Sequence, residues 1–559
     1  MKPVMVLSLV VAAAAPSATA SSISCDNDAS PFPMPLCNGI YIEDATIGDL
    51  QHFMMTGKLT SEQLVECYIS RIEQTNPYLH SISEVNPDDV SIAQSLDSER
   101  SRSVIRGPMH GIPFVVKDNI YTDDKHNTSE GGLVLLGGRY SQEATIVQKI
   151  RAAGGILLGH ASLSEAADHR ALTNFSDGYS TRAGQIRNPF NLTQGTSGSS
   201  GGSAVAVRSN QAAVALGTET HGSLVHPASH LGLYTIKSTP GLISRHGIVP
   251  GSFYHDTPGP MARSMKDVAL LLDIMAGPDQ YDKLTWNGLG HYPADGYSAH
   301  VTNKESLKGM KLGLPWNPYA VNAPDQRVKY TKLLQQLEAA GAEVYNISWI
   351  PGIKQIANPY GFGQPASTPD AHQQKLNVYT ALLAVAYGEW LTNWTFPATD
   401  ARHNNLTSLA QMAAWNAAHN ATTASPGRTS TTWPWPPTGT LHEGAFGWGR
   451  RTARAAIDGG HAYVRADGTV ELLDALLACA SVPSYAGYPV AAVPVGQSGF
   501  AVPFGLCVWG RGWSEAALVR VASAIEDLVR WRAGPGWHRY KTAAGSEESL
   551  NRYACKAEA

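Results

Sequence analysis

Residues 195–207 read GTSGSSGGSAVAV, and this stretch limits what the chain can fold into more than any other. Of its first nine residues only Thr196 is neither glycine nor serine. A flexible tether should join two polar surfaces. Here the stretch runs directly into the apolar "AVAV", and "AAVALGTETHGSLVHPAS" follows within a few residues. Glycines set between core elements allow unusual backbone dihedrals and close approach of one backbone to another. Gly217 to Ser223 repeats the theme as strand, tight turn and serine, a pattern whose backbone N–H groups can converge on an oxyanion. The stretch is therefore expected to be a bent, buried loop that presents serines.

Around it, strand-like and helix-like segments alternate. "TIGDLQHFMMTGKLTSEQLVECYISRIEQTNP" reads as two helices, the first stopped by Gly57 and the second opened by a Thr60/Gln63 capping box. "GIPFVVKDNI" reads as a short buried strand led by Pro113, and "EATIVQKIRAAGGILLGHASLSE" as helix, glycine stop and strand. "MKDVALLLDIMAG" reads as a helix ended by Gly277. "MKLGLPW" and "GAEVYNI" bracket another helix, and "PVAAVPVG", "FGLCVWG" and "SEAALVRVASAIEDLVRWR" close the series. This predicts an α/β fold with a sheet covered by helices on both faces. No repeat of 20–50 residues points to a solenoid or propeller. Residues 351–450 differ, being rich in Trp, Asn, Thr and Pro, and read either as an insert shaping a pocket or as a glycosylated surface insertion. Trp390, Trp394, Trp415, Trp433 and Trp435 hint at an apolar or aromatic acyl group, or simply fill a core.

With 43% apolar residues the 559-residue chain can bury a large core. A net charge of −4 carries no footprint of a nucleic-acid or anionic-membrane partner. The first 20 residues combine Lys2, a short apolar run and Ala18-Thr19-Ala20, the pattern of a cleaved secretory signal peptide, with cleavage expected near Ala20. Residues 21–40 read as irregular, 41–535 as the main domain and 536–559 as a tail. No later apolar run is long enough to span a membrane. Six cysteines permit disulfides in an oxidising compartment, with Cys25–Cys37 the expected local loop and Cys67, Cys479 and Cys507 in apolar contexts that suit core thiols. Sequons at Asn127, Asn174, Asn191, Asn346, Asn393, Asn405 and Asn420 are glycosylation candidates in a secreted chain.

A reacting serine needs a base. The strand–GxSxG–helix setting of a nucleophile elbow is absent, but Lys117 ends the apolar strand "GIPFVVK", where desolvation would lower its pKa and make it basic. The ordered set "HGIPFVVKDNI", "GTSGSSGGSAVAV" and "ALGTETHGSLVHPAS" resembles the amidase signature family of serine hydrolases, in its secreted, fungal-like form. The resemblance extends over residues 41–535, through "GKLTSEQLVECYISRIEQTNP", "GLISRHGIVPGSFYHDTPGPMARSMKDVALLLDIMAG", "AGYPVAAVPVG" and "PFGLCVWGRGWSE". It implies a large mixed sheet and a Ser-Ser-Lys triad: Lys117 as base, Ser199 as a bridging serine entered through a cis peptide bond from Gly198, and Ser223 as nucleophile. It also implies an oxyanion hole of backbone N–H groups from Thr220, His221, Gly222 and Ser223, with Ser200 in support. The reaction implied is hydrolysis of linear, non-peptide carboxamides through an acyl-enzyme, on a small-molecule substrate and without a cofactor.

Three departures from the family pattern stand out. His221 occupies a position where glycine or aspartate is usual, so a cation beside Lys117 is one expectation. Ser162 replaces the usual asparagine, and His230 and Leu231 also stand where other residue types are usual. These changes keep open a weakened or inactive binding protein on the same fold, and an esterase or acyl transferase using the same site. His226 and His230 are four apart, a zinc-like spacing if helical, but Pro227 intervenes and no carboxylate or cysteine completes the set, so no metal is expected.

Overall fold

A computed structural model describes residues 32–170, 177–315, 324–347, 383, 385–397, 406–419, 454–455, 457–465, 467–477, 482–499, 501–532, 540–541 and 547–548. Its centre is one eleven-stranded sheet. In chain order the strands are β1 (Ile82–Val85), β2 (Pro113–Lys117), β3 (Ile156–Ala161), β4 (Val214–Glu219), β5 (Tyr234–Lys237) and β6 (Thr257–Ala262). They continue with β7 (Lys311–Pro315), β8 (Glu343–Ile347), β9 (Ala475–Leu477), β10 (Val490–Gln497) and β11 (Pro503–Trp509). Their spatial order is β1-β3-β2-β4-β6-β5-β10-β11-β9-β7-β8. β3, β2 and β4 run parallel, as do β9, β7 and β8, while the centre from β4 through β6, β5, β10 and β11 to β9 is antiparallel. The sheet is thus mixed, as expected.

Every residue of β2, β3, β4, β5, β6 and β11 is buried. Both faces of the central sheet are therefore covered, which is why β2 and β11 read as near-continuous apolar runs rather than as alternating ones. Helices form in all six segments that read as helical, and others, those at Asp89–Ser101, Gly201–Arg208 and Val225–His230 among them, were not read from the sequence. α1 (Ile47–Met55) opens on a Thr46/Asp49 capping box and α2 (Ser61–Leu79) on Thr60/Gln63. α3 (Asp89–Ser101) packs beside α2, and α4 (Thr145–Ala152) precedes β3. α5 (Gly201–Arg208) and α6 (Val225–His230) flank the serine turns, and α7 (Met265–Met275) is capped by Ser264. α8 (Pro324–Ala339) makes the crossover between parallel β7 and β8, and α9 (Glu515–Val529) covers the C-terminal half. α9 and β10 bury leucine, valine and isoleucine side chains, each contributing about 1.5–3 kcal/mol.

A second, smaller core sits outside the sheet. Tyr387, Trp390, Leu391 and Trp394 pack with Leu409 and Met412 onto Tyr121, Val134 and Leu135. Trp394–Thr395 pairs with Arg139–Tyr140 as a short two-stranded ribbon, and the Trp390 ring stacks on both Tyr140 and Trp394. This is the described part of the 351–450 insert; Trp433 and Trp435 lie outside the described residues.

The cysteines correct the sequence reading. Cys37 is bonded to Cys67, thirty residues away, and Cys507 is also in a disulfide. Cys67 and Cys507 are therefore not core thiols, and Cys37 does not pair with Cys25. The apolar surroundings that suggested thiols are equally compatible with a buried bridge. No helix among the described residues is long and apolar enough to cross a membrane.

Candidate active site

Strand direction explains how residues a hundred positions apart meet. β2 and β4 are parallel neighbours with Val116 opposite Leu216, so both deliver their C-terminal residues to the same edge. Lys117 is the last residue of β2, and Thr218 and Glu219 end β4. The 195–200 loop arrives at that edge from below. Ser200 accepts from the Thr218 N–H (3.2 Å), donates its hydroxyl to the Thr218 carbonyl (3.0 Å), and sends its own N–H to the Ser223 carbonyl (3.2 Å). Ser200 thus ties the serine-rich loop to both the strand and the turn that follows it. α5 can start at this point only because Gly202 has no side chain: a Cβ there would lie 2.1 Å from the Ser162 carbonyl oxygen. The glycine-rich stretch is a close-packed wedge and not a tether.

Lys117 and Ser199 are fully buried, and their Nζ and Oγ atoms are 2.6 Å apart. The Gly198–Ser199 peptide is cis. The remaining contacts of Nζ are acceptors on Thr218, its carbonyl at 3.2 Å and its hydroxyl at 3.0 Å, and Asn119 donates to that same hydroxyl. Burial lowers the lysine pKa to about 8, against the opposing pull of the Asp168, Glu130, Glu219 and Asp256 carboxyls. Burial likewise pushes Asp168 up to about 7 and Glu130 up to about 8.

Thr220 to Ser223 form the turn after β4. Gly222 adopts a positive φ of 87°, and a Cβ there would strike the His226 ring. Ser223, at 8% exposure, is the least enclosed of the three side chains singled out. Glu219 holds the turn from beneath. Its carboxylate accepts from the Leu224 N–H (2.9 Å), the Val225 N–H (3.1 Å) and the Ser484 hydroxyl (2.9 Å), and also from Gly222. Thr220 donates its hydroxyl to Asp256 (2.6 Å), which in turn is held by the Gly251 and Ser252 N–H groups.

The expectation of a cation at His221 is not met. Burial, reinforced by His226, lowers the imidazole to about 4, so it is neutral where the lysine titrates, and the lysine's own shift comes from burial. His226 and His230 do lie on one helix, α6, with Pro227 accommodated in its first turn. Among the described residues no group of three or more His, Cys, Asp or Glu side chains is arranged to hold a metal. At the other departing positions the contacts are made by main-chain carbonyls, which any residue would supply: Ser162 accepts from the Gly202 N–H, His230 from the Asn188 amide and Leu231 from Arg208.

Two cavities flank the turn. One, of about 280 Å³, is lined by Thr218, Thr220, Arg245, Asp256 and, from the insert, Glu389 and Trp390. The other, of about 450 Å³, is lined by Ser197, His226, His230, Tyr330 and Phe504. The larger is within the range of small-molecule sites, about 300–1,000 Å³, and the smaller lies just below it. Among the sequons, Asn346 and Asn393 are exposed, and Asn393 also borders the smaller cavity. Asn191 is partly buried, its side-chain oxygen accepting from Thr193, and the Asn127 amide is engaged with Glu84. Asn174, Asn405 and Asn420 lie outside the described residues.

Sequence reasoning did not single out Thr218, Glu130 or Asp168. Thr218 was open to inference as the strand residue just ahead of the serine turn. The other two are placed by loops whose course no periodicity reveals.

The edge of the sheet thus brings together a buried lysine hydrogen-bonded to Ser199 and a turn that carries Ser223. Residues 63–423 match the family described as Amidase. The chain is 37% identical over 542 residues to "Putative amidase C869.01" of Schizosaccharomyces pombe, covering 92% of this chain and 90% of that protein. It is 33% identical to "Probable amidase At4g34880" of Arabidopsis thaliana over 88% of this chain and 92% of the relative. Its fold superposes on the crystal structure of the native peptide amidase from Stenotrophomonas maltophilia with a TM-score of 0.77 and 32% identity, covering 90% of this chain and 99% of that one. The chain belongs to the amidase family, and it is an amidase-signature hydrolase acting on amides.

Proposed function

We propose that the chain hydrolyses linear carboxamides through a Ser-Ser-Lys triad, with Ser223 as nucleophile, Ser199 as bridge and Lys117 as base. The observation that carries this reading is the 2.6 Å contact between a fully buried lysine, already shifted toward neutrality, and the Ser199 hydroxyl. Neutral Lys117 accepts the Ser199 proton as Ser199 accepts the proton of Ser223, and the Ser223 oxygen bonds to the amide carbon. The tetrahedral oxyanion is met by backbone N–H groups of Thr220, His221, Gly222 and Ser223, with Gly222 sharing its N–H with Glu219. Ser199 returns a proton to the leaving amine, the C–N bond breaks, and water then releases the acid from the Ser223 ester by the same relay. Esters and acyl transfer to amines would use the same intermediate.

The cavity with Arg245, Asp256 and the Trp390 face offers an apolar wall with polar fixing points, which suits an acyl group with a polar substituent. A terminal carboxamide of a peptide falls within that description as well as a small free amide does. The Cys37–Cys67 bridge, with the leader-like first 20 residues, supports secretion into an oxidising compartment. A fluorophosphonate probe tests the assignment. Labelling of Ser223, abolished in Ser223→Ala and strongly slowed in Lys117→Ala, supports the enzyme. A folded protein that never labels supports a binding protein on the same fold.

A further inference from the structure

Glu130 is a fully buried carboxyl that the proposed reaction does not use. It sits on a backbone with φ of 53°, in a loop that is laced to the lysine strand: its N–H donates to the carbonyl of Asp118 (2.8 Å), the residue directly after Lys117. The Glu130 carbonyl accepts the Ala166 N–H (3.1 Å) and so reaches the segment that carries Asp168. The adjoining Ser129 and Gly131 are pinned to the Asp118 carboxylate at 2.6 Å and 3.0 Å. The backbone of Glu130 is thus tied directly to the residue that follows Lys117.

Its side chain is held differently. The Tyr387 hydroxyl donates to the Glu130 carboxyl, and Tyr387, fully buried, belongs to the second core formed by the insert. The other carboxyls that face Lys117 are fixed from within the catalytic layer: Glu219 by the turn it supports, Asp256 by Thr220 and the 251–252 backbone, Asp168 by Ser164. Lys117 touches Ser199 and Thr218 and feels the charges of Asp168, Glu130, Glu219 and Asp256, with His169 also within its field; Glu130 touches Tyr387 and feels the charges of Lys117, Asp118 and Asp256. Asp118 is itself charge-compensated by the Arg182 guanidinium.

We infer that Glu130 and Tyr387 are positioning residues through which the insert over the active site sets the proton affinity of Lys117. An ionised Glu130 holds the lysine as the ammonium, and the Tyr387 hydroxyl favours that ionised form; a protonated Glu130 releases the neutral amine that the reaction needs. Seating of the insert is thereby coupled to the charge of the base. The inference rests on the proposed role of Lys117 as base.

The test is the pH profile of kcat/KM for a small amide or of fluorophosphonate labelling, measured on the full chain. In Glu130→Gln, which keeps an acceptor for Tyr387 but no charge, the acid limb is expected to move to lower pH by about 0.5–1 unit. In Tyr387→Phe it moves the same way by less, and adding Tyr387→Phe to Glu130→Gln moves it no further. A merely structural role would alter the plateau or the melting temperature and leave the limb where it was. Limbs that stay within about 0.2 unit of the wild type in both folded single variants overturn the inference. An acid limb that persists unchanged in Lys117→Ala would instead overturn the lysine-base reading beneath it.

Discussion

The catalytic layer and the insert above it are built on opposite principles. β2, β4 and α5 are locked by backbone: parallel ladder bonds, the Ser200 cross-ties and a glycine where any side chain would collide. The described part of the insert is held mainly by rings, with Trp390 stacked on both Tyr140 and Trp394, by the short Trp394–Thr395 ribbon, and by the buried Tyr387 hydroxyl on Glu130. Backbone locking suits a reaction that tolerates little displacement of its groups. Ring packing tolerates substitution if volume is kept, and it suits a surface that selects substrates. The contrast predicts that damage to the first region abolishes chemistry and damage to the second redistributes substrates.

The largest effect should come from the catalytic layer. Lys117→Met and Ser223→Ala are each expected to lower kcat about 10³-fold or more with the fold intact, measured by steady-state kinetics alongside circular dichroism. If Lys117→Met keeps its rate, the supposed division of labour between the two regions is wrong at its base.

Much of the catalytic layer was legible in the sequence because it is dictated by local chemistry. Pro113 to Val116 is apolar throughout, so it read as a buried strand whose terminal lysine could be desolvated, and the family resemblance then gave that lysine its role. The Thr60/Gln63 box and Gly57 set helix ends within a residue or two. What escaped was decided by tertiary packing. Nothing in the spacing of Glu130 and Tyr387, 257 residues apart, announces their hydrogen bond. Cys67 read as a core thiol because a half-cystine and a buried thiol share the same apolar surroundings. His221 read as a cation because its charge depends on how deeply the turn is buried, which the string TETHGS does not state.

Next in size, the Cys37–Cys67 bridge closes a loop of thirty residues in the N-terminal helices, remote from the insert. Replacing both cysteines with serine should cost about 3–4 kcal/mol in denaturant unfolding with little change in kcat of the folded protein. Trp390→Ala should sharpen the comparison from the other side. It removes one partner from two ring stacks, and a loss of about 3 kcal/mol of local packing is expected. The readout is a raised KM for bulky amides, with Ser223 still labelled by a small fluorophosphonate. A lost label would mean that the insert holds the catalytic layer together.

The smallest effect should be that of His221→Asn on pH dependence. With its pKa lowered to about 4, the imidazole is neutral throughout the range in which the lysine titrates, so its removal should leave the acid limb within about 0.2 unit of the wild type. A larger shift would mean that the ring carries charge beside Lys117 after all.

The most direct test of the account is the rate of Ser223 labelling by a fluorophosphonate as a function of pH, in the wild type and in Lys117→Ala. Labelling in the wild type should fall on the acid side around pH 8, the value to which burial brings the lysine, and that fall should vanish with the lysine. An acid optimum, or a fall that survives in Lys117→Ala, would contradict a neutral lysine as the base.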